Sequence, residues 1–266
     1  MEQYEQAVRL WKSWEVTTGA DLDKYLDSFR VLFAYHSGKM ENREITYHDT
    51  REIFERGKVS DFTGDPRALF EQQNQKLCYE VLKQKFSQRA PLSLDLVREL
   101  HRVLTGGTYD ERRYVDNGER PGEFKKHDYV TGIHEVGSAP EYVEEDLRQL
   151  LDEVNESGAR SPLQAGAYLH ARFEYIHPFA DGNGRVGRTL LNYWLLLNDH
   201  PPVIIYDEDR REYYAALNRY DEEEVLAPLT EFLRRETAKT WERSLEHAEG
   251  LRQQRRDLVF EAARVT

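Results

Sequence analysis

The chain has 266 residues, 39% of them apolar and 12% aromatic, enough for one large domain or two small ones. Lys and Arg total 37 against 49 Asp and Glu, a net charge of -12 that excludes a broad basic face for nucleic acid or anionic lipid. Cys78 is the lone cysteine, which excludes an internal disulfide and fits a reducing compartment. The opening "MEQYEQAVRLWKSWEV" lacks the basic start and apolar run of a signal peptide, and no apolar run reaches membrane-spanning length. A cytoplasmic protein is expected, with no nucleic acid and no membrane among its partners.

The apolar period is helical nearly throughout. Leu22, Leu26, Phe29 and Phe33 predict a helix over 21–40. Thr46 with Asp49 reads as a capping box opening a helix to Gly57. Asp65-Pro66 is a helix start, leading to residue 86, and Ser93 caps a helix that ends near Gly106-Gly107. From 107 to 139 the helical period lapses, and "HDYVTGIHEV" alternates weakly about a glycine. A short hairpin over a site and a plain surface loop both fit that stretch. Helices return over 140–156 and 162–176. Beyond a polar stretch, "TLLNYWLLL" marks the most buried helix, and helices over 209–220 and from 225 onward complete the chain. There is no internal repeat and no low-complexity linker, so a mainly α, single compact unit is expected.

The polar stretch is "HPFADGNGRVGR", residues 177–188. It is either an ordinary turn or a site that handles an anion. Gly182 and Gly184 permit positive φ and close backbone approach. Successive N–H groups at the start of the next helix make a nest for phosphate oxygens. Arg185 and Arg188, three apart, leave one helix face as two guanidinium forks. Asp181 beside phosphates makes sense if a Mg²⁺ lies between them. A neutral His177 could take a proton from an attacking hydroxyl. No GxxxxGK[ST] occurs anywhere, so this is not a Walker loop.

The stretch resembles the Fic-family motif HxFx(D/E)GNGRxxR at every signature position: His177, Phe179, Asp181, Gly182, Asn183, Gly184, Arg185 and Arg188. "YVTGIH" is similar to the family's flap hairpin and "PPVIIYDEDRREYYAAL" to the segment after its motif helix, so the resemblance covers roughly residues 20 to 245. It implies a Fic-type helical bundle with a short β-hairpin flap over the active site. It also implies transfer of AMP from ATP to a Ser, Thr or Tyr hydroxyl of a protein target, including self-modification. Carried over, His177 is the general base and Asp181 holds Mg²⁺. Gly182, Asn183, Gly184 and Arg185 cradle the α- and β-phosphates, and Arg188 grips the γ-phosphate. Thr131, Gly132, Ile133 and His134 match the flap, which clamps the target and borders the nucleotide. Tyr213, Tyr214 and Asp221 match the adenosine pocket, where many relatives carry Asn at the Asp221 position. Phe179 is an anchor for the loop.

"SGKMEN" resembles the family's inhibitory motif [S/T]xxxE[G/N], with Ser37, Glu41 and Asn42 in place. The resemblance implies that Glu41 pairs with Arg188 and takes the place of the γ-phosphate. In some relatives the same Glu also helps to remove AMP. The expected organisation is N-terminal helices over 1–60 that include the inhibitory one, a Fic core over 61–250, and a helix end or tail over 251–266. Three other readings stand beside a self-inhibited adenylyltransferase: a nucleotide-binding regulatory protein without transferase activity, transfer of a different phosphate-containing group, and a DNA-binding regulator. A homodimer is left open.

Overall fold

The computed structural model describes residues 2–60, 62–130, 137–157 and 161–264, and every regular element among them is helical. At the centre lie α8 (Pro162–Ile176) and α9 (Asn183–Leu197), which pack along each other across the turn 177–182. The run Val186 to Leu196 of α9 is buried on every side, its polar residues Arg188, Thr189 and Asn192 included. Around this pair stand α5 (Pro66–Ser87), α6 (Leu94–Leu104), α7 (Val143–Ser157), α10 (Arg210–Glu223) and α11 (Ala227–Arg264). Asp65 caps α5 ahead of Pro66, and Ser93 caps α6. The apolar residues of all these elements form one core. No helix among the described residues is long and apolar enough to cross a membrane.

The N-terminal helices lean on this core. α1 (Glu2–Ser13), which sequence periodicity leaves unbounded, is fastened to α11 by aromatics: Trp11 packs edge-on to Trp241 at 5.5 Å between ring centres. The helix expected over 21–40 is two helices, α2 (Gly19–Tyr25) and α3 (Asp27–Glu41), parted at Leu26, whose φ and ψ of -109° and 11° are not helical. The break has a packing reason. Leu22 and Leu26 bury on one bearing, whereas α3 turns Ala34, Ser37, Gly38 and Met40 inward on another. Gly38 lets α3 close on α5, since a Cβ there would collide with the Gln72 amide. α4 (Tyr47–Arg56) carries the expected Thr46–Asp49 capping box and ends at Gly57 with φ of 72°.

The irregular stretch after α6 contains a single π-helical turn, Arg112–Asp116. Beyond it, buried Glu119 accepts bonds from Lys126 N–H and the Tyr129 hydroxyl, both at 2.9 Å. The expected hairpin residues Thr131, Gly132, Ile133 and His134 lie outside the described residues. Their flanks are clipped on either side of His177: Lys125 N–H donates to Pro178 O at 2.9 Å, and Ser138 N–H to Ile176 O at 3.0 Å.

Candidate active site

α8 ends at His177, which adopts the left-handed region with φ of 51°. The turn that follows is closed by one side chain: Asn183 Oδ1 accepts from Phe179 N–H at 2.9 Å, while Asn183 Nδ2 donates to Phe179 O at 2.8 Å. Phe179 is fully buried, and its ring stacks on His101 at 3.6 Å and 3°. His101 Nδ1 accepts from Gly122 N–H at 2.8 Å, so its Nε2 donates to Asp181 O at 3.0 Å. Burial keeps this imidazole neutral, its pKa pushed down to about 3.

Gly182 begins α9 with φ of 84° and provides no side-chain cap. The first-turn N–H groups therefore face the cleft as an uncapped, positive helix end. A Cβ at Gly182 would lie 2.5 Å from Thr105 Cγ2. Gly182→Ala thus combines an unfavourable φ with a steric conflict, about 1–3 kcal/mol of strain. A lowered midpoint of thermal unfolding is expected, and an unchanged midpoint would show that the turn tolerates a Cβ.

Four charged side chains alternate beneath the turn. Arg67 Nη2 meets Asp181 Oδ2 at 2.5 Å, and Arg67 Nε meets Glu71 Oε1 at 3.0 Å. Arg185 Nη1 lies 3.2 Å from that same Glu71 oxygen, and Arg185 Nη2 lies 3.8 Å from Asp181 Oδ1. Burial opposes the charge on Asp181, but the guanidinium groups of Arg185, Arg67 and Arg113 outweigh it and hold the carboxyl below the usual range. Arg185 is 1% exposed, and its Nε and Nη1 make no hydrogen bond among the described residues. A cation with unspent donors behind an uncapped helix end suits a phosphate.

Arg188 is equally buried but fully engaged. Its Nε donates to Ser37 Oγ and its Nη2 to Ser37 O, both at 3.0 Å, and Nη2 also reaches Glu41 Oε1 at 2.7 Å. Gln75 Nε2 donates to Ser37 Oγ from α5 at 3.4 Å. The Glu41 carboxylate lies over Gly184, where a Cβ would be 2.7 Å from Oε1. Asn42 follows as the C-cap of α3, and its Oδ1 accepts from Glu44 N–H at 3.0 Å.

His177, Asp181, Gly182, Asn183, Gly184, Glu41, Tyr214 and Asp221 all line one cleft of about 470 Å³, a size suited to a nucleotide-scale ligand. Arg185 and Arg188 lie behind its wall, covered by the carboxylates of Asp181 and Glu41. Tyr213 departs from the expected pocket wall. It is 1% exposed, and its hydroxyl bonds His170 Nε2 at 2.7 Å, so it backs the cleft while Tyr214 faces it. Burial, and then the charge of Lys125, hold His177 neutral with a pKa pushed down to about 4; its imidazole hydrogen-bonds the Glu174 carbonyl. Among the described residues, the grouping of His, Asp and Glu compact enough for a metal is His36, Asp207 and Glu208, outside this cleft, where Lys239 already bonds Glu208 at 3.0 Å.

Residues 91–195 match the Fic/DOC family. The protein adenylyltransferase fic-1 of Caenorhabditis briggsae is 30% identical over 195 residues, 70% of this chain and 36% of that protein. The protein adenylyltransferase Fic of Drosophila persimilis is 30% identical over 215 residues, 77% of this chain and 39% of that protein. A solved Fic domain containing signaling protein from Bacteroides thetaiotaomicron has a TM-score of 0.79 at 26% identity, covering 93% of this chain and 97% of that one. The chain belongs to the Fic/DOC family. It spans less than half the length of the curated relatives it matches.

The Fic match takes in α6 to α9 and hence the whole 177–188 turn, whereas α3 with Ser37 and Glu41 lies ahead of it. Sequence reasoning missed the residues that support the Fic motif from other elements. Arg67 and Glu71 are an i,i+4 pair in the first turns of α5, a pattern that usually marks a solvated helix face. His101 ends α6 as an ordinary amphipathic position. Arg113 lines the cleft from the π-helical turn and donates to Ala180 O at 3.4 Å. Nothing local distinguishes these four from ordinary helix-surface residues, because their partners in the turn lie far along the chain, the least distant of them Ala180, 67 residues from Arg113.

Proposed function

We propose that the chain is a protein adenylyltransferase that moves AMP from ATP to a protein hydroxyl and is restrained by its own α3. The names of its relatives support the activity. The observation that carries the restraint is the Arg188–Glu41 contact at 2.7 Å beneath a complete motif.

In this reading the target hydroxyl oxygen attacks the α-phosphorus. The bond from that phosphorus to the bridging oxygen breaks, pyrophosphate leaves with the electron pair, and the hydroxyl proton passes to His177. A neutral imidazole whose other nitrogen is spent on the Glu174 carbonyl has one lone pair to offer, as a base requires. The open N–H groups of Asn183 and Gly184, with Arg185 behind them, take the α- and β-phosphate charge. Arg188 takes the γ-phosphate once Glu41 withdraws. Such catalysis is mostly positioning and electrostatics. Asp181, one ionised carboxylate at the cleft, fits a Mg²⁺ that is otherwise held by phosphate oxygens and water, and Mg²⁺ there would neutralise phosphate charge. Tyr214 and Asp221 border the adenosine, with Tyr213 as backing. In this reading Glu41, which lines the cleft, also orients a water for AMP removal.

Labelled ATP tests the reaction. With Mg²⁺ and a Glu41→Gly chain, label from the α-phosphate is expected on protein and label from the γ-phosphate is not. Transfer from the γ position alone would make the chain a kinase and overturn the reading.

A further inference from the structure

Glu174 sits on α8 one turn before His177 and lines the same cleft. Its Oε1 occupies a niche made by a glycine of the facing helix: a Cβ at Gly187 would collide with it. That oxygen is buried, with no hydrogen-bond partner among the described residues, and the nearest imidazole nitrogen, His170 Nδ1, is 4.0 Å away. A carboxylate left unpaired in such a place is costly, and the usual resolution is to keep its proton.

Four elements bring titratable groups to bear on that outcome. α8 itself contributes His170 and His177, both held neutral. α9 contributes Arg188, the one attracting charge among these neighbours, but its bonds go to Ser37 and Glu41. α3 contributes the negative Glu41, and α10 contributes Asp221 with the hydroxyls of Tyr213 and Tyr214. Burial first, then Glu41 and Asp221, push the Glu174 carboxyl up to about 7 against the pull of Arg188. Exchange of the Glu41 carboxylate for a phosphate on Arg188 leaves a negative neighbour in place, so the proton is retained when nucleotide binds.

We propose that Glu174 acts as a neutral carboxylic acid that donates its O–H to the bound polyphosphate, so that the cleft loses affinity for ATP when this residue ionises. This rests on the nucleotide reading of the cleft. It adds a residue outside the HxFx(D/E)GNGRxxR motif to those that recognise the ligand, and it fixes the sign: binding is strongest on the acid side of neutrality and weakens as pH rises through about 7. The γ-phosphate's own ionisation runs the other way, since a more highly charged phosphate binds Arg188 better, and it is common to every variant.

The test is the dissociation constant for ATP at pH 6 and pH 8, measured by calorimetry on the wild-type chain and on Glu174→Gln. Gln keeps the shape and a donor but cannot ionise. With a midpoint near 7, the ratio of the two constants is expected to be about tenfold larger in wild type than in Glu174→Gln. Equal ratios overturn the proposal while leaving the nucleotide reading intact. Absence of ATP binding in both proteins at both pH values overturns the nucleotide reading and this proposal with it. Carbon NMR titration of the glutamate carboxyls checks the assignment: beside Glu236, itself pushed up to about 7 by burial, a second carboxyl that titrates near neutrality and is missing from Glu174→Gln is expected, and identical neutral-range titrations in the two proteins overturn the proposal.

Discussion

Glu41→Gly is expected to raise transfer of AMP to protein, self-modification included, by roughly 10–150-fold. The figure follows from one contact. A hydrogen bond between charged groups contributes about 1.5–3 kcal/mol, and each 1.4 kcal/mol is a factor of ten in rate or population. The carboxylate of Glu41 is the one partner of Arg188 that a phosphate must displace; Ser37 bonds the guanidinium from the side and can remain. Removing Glu41 also clears Gly184, over which its oxygen lies. The measurement is incorporation of label from the α-phosphate of ATP with Mg²⁺. An unchanged rate in a folded Glu41→Gly chain would show that the contact imposes no restraint. Arg188→Ala distinguishes release from simple loss of a bond. It breaks the same pair but removes the γ-phosphate partner, so no activation is expected from it. Because the restraint is a single pair with Glu41 about one-third exposed, a partner or ligand that moves α3 by one side-chain length has enough free energy to lift it.

Legibility in the sequence tracked the distance between partners. The turn 177–188 was readable because its chemistry is written within twelve residues, and the Thr46 and Asp65 helix starts because caps act locally. The Arg188–Glu41 pair spans 147 positions and was reached only through resemblance to a family. Arg67, Glu71 and His101 carried no such flag, since a charge that supports a loop from another helix looks like any solvated charge until the helices are packed. Tyr213 and Tyr214 show a second limit. Adjacent residues on a helix point about 100° apart, so only one of the two can face the cleft. Which one depends on where the core lies. The single helix expected over 21–40 failed for a related reason: a run of apolar residues at helical spacing does not report a change of bearing, and Leu26 supplies one. The packing that fixes such bearings comes from α5 and α9, far along the chain.

His177→Ala is expected to lower AMP transfer by about 10²–10⁴-fold, the usual contribution of a general base. The dissociation constant for ATP is expected to stay within a few fold of wild type, because no phosphate role falls on the imidazole. Equal losses in binding and turnover would mean that the side chain holds the loop and does not act as a base. The pH profile gives an independent check with a definite sign. A base works when deprotonated, so activity is lost as pH falls through its pKa. An ordinary histidine, near 6.5, would leave only about a quarter of the base form at pH 6. His177, pushed down to about 4 by burial and by Lys125, stays almost entirely in the base form there. His177 therefore contributes no acid-side decline in kcat/KM between pH 8 and pH 5, and any decline there that persists in Glu174→Gln belongs to the γ-phosphate. The alkaline limb belongs to Glu174, whose pKa is near 7. The expected curve in free enzyme is thus a bell displaced to the acid side, with limbs near 4 and 7. In the Glu41→Gly background, where turnover is easiest to measure, both limbs move further acidward, since the Glu41 charge raises the pKa of each group. Adding Glu174→Gln to that background should abolish the alkaline limb and leave the acid limb standing. Loss of both limbs together would assign them to one coupled group and contradict the separate roles of His177 and Glu174.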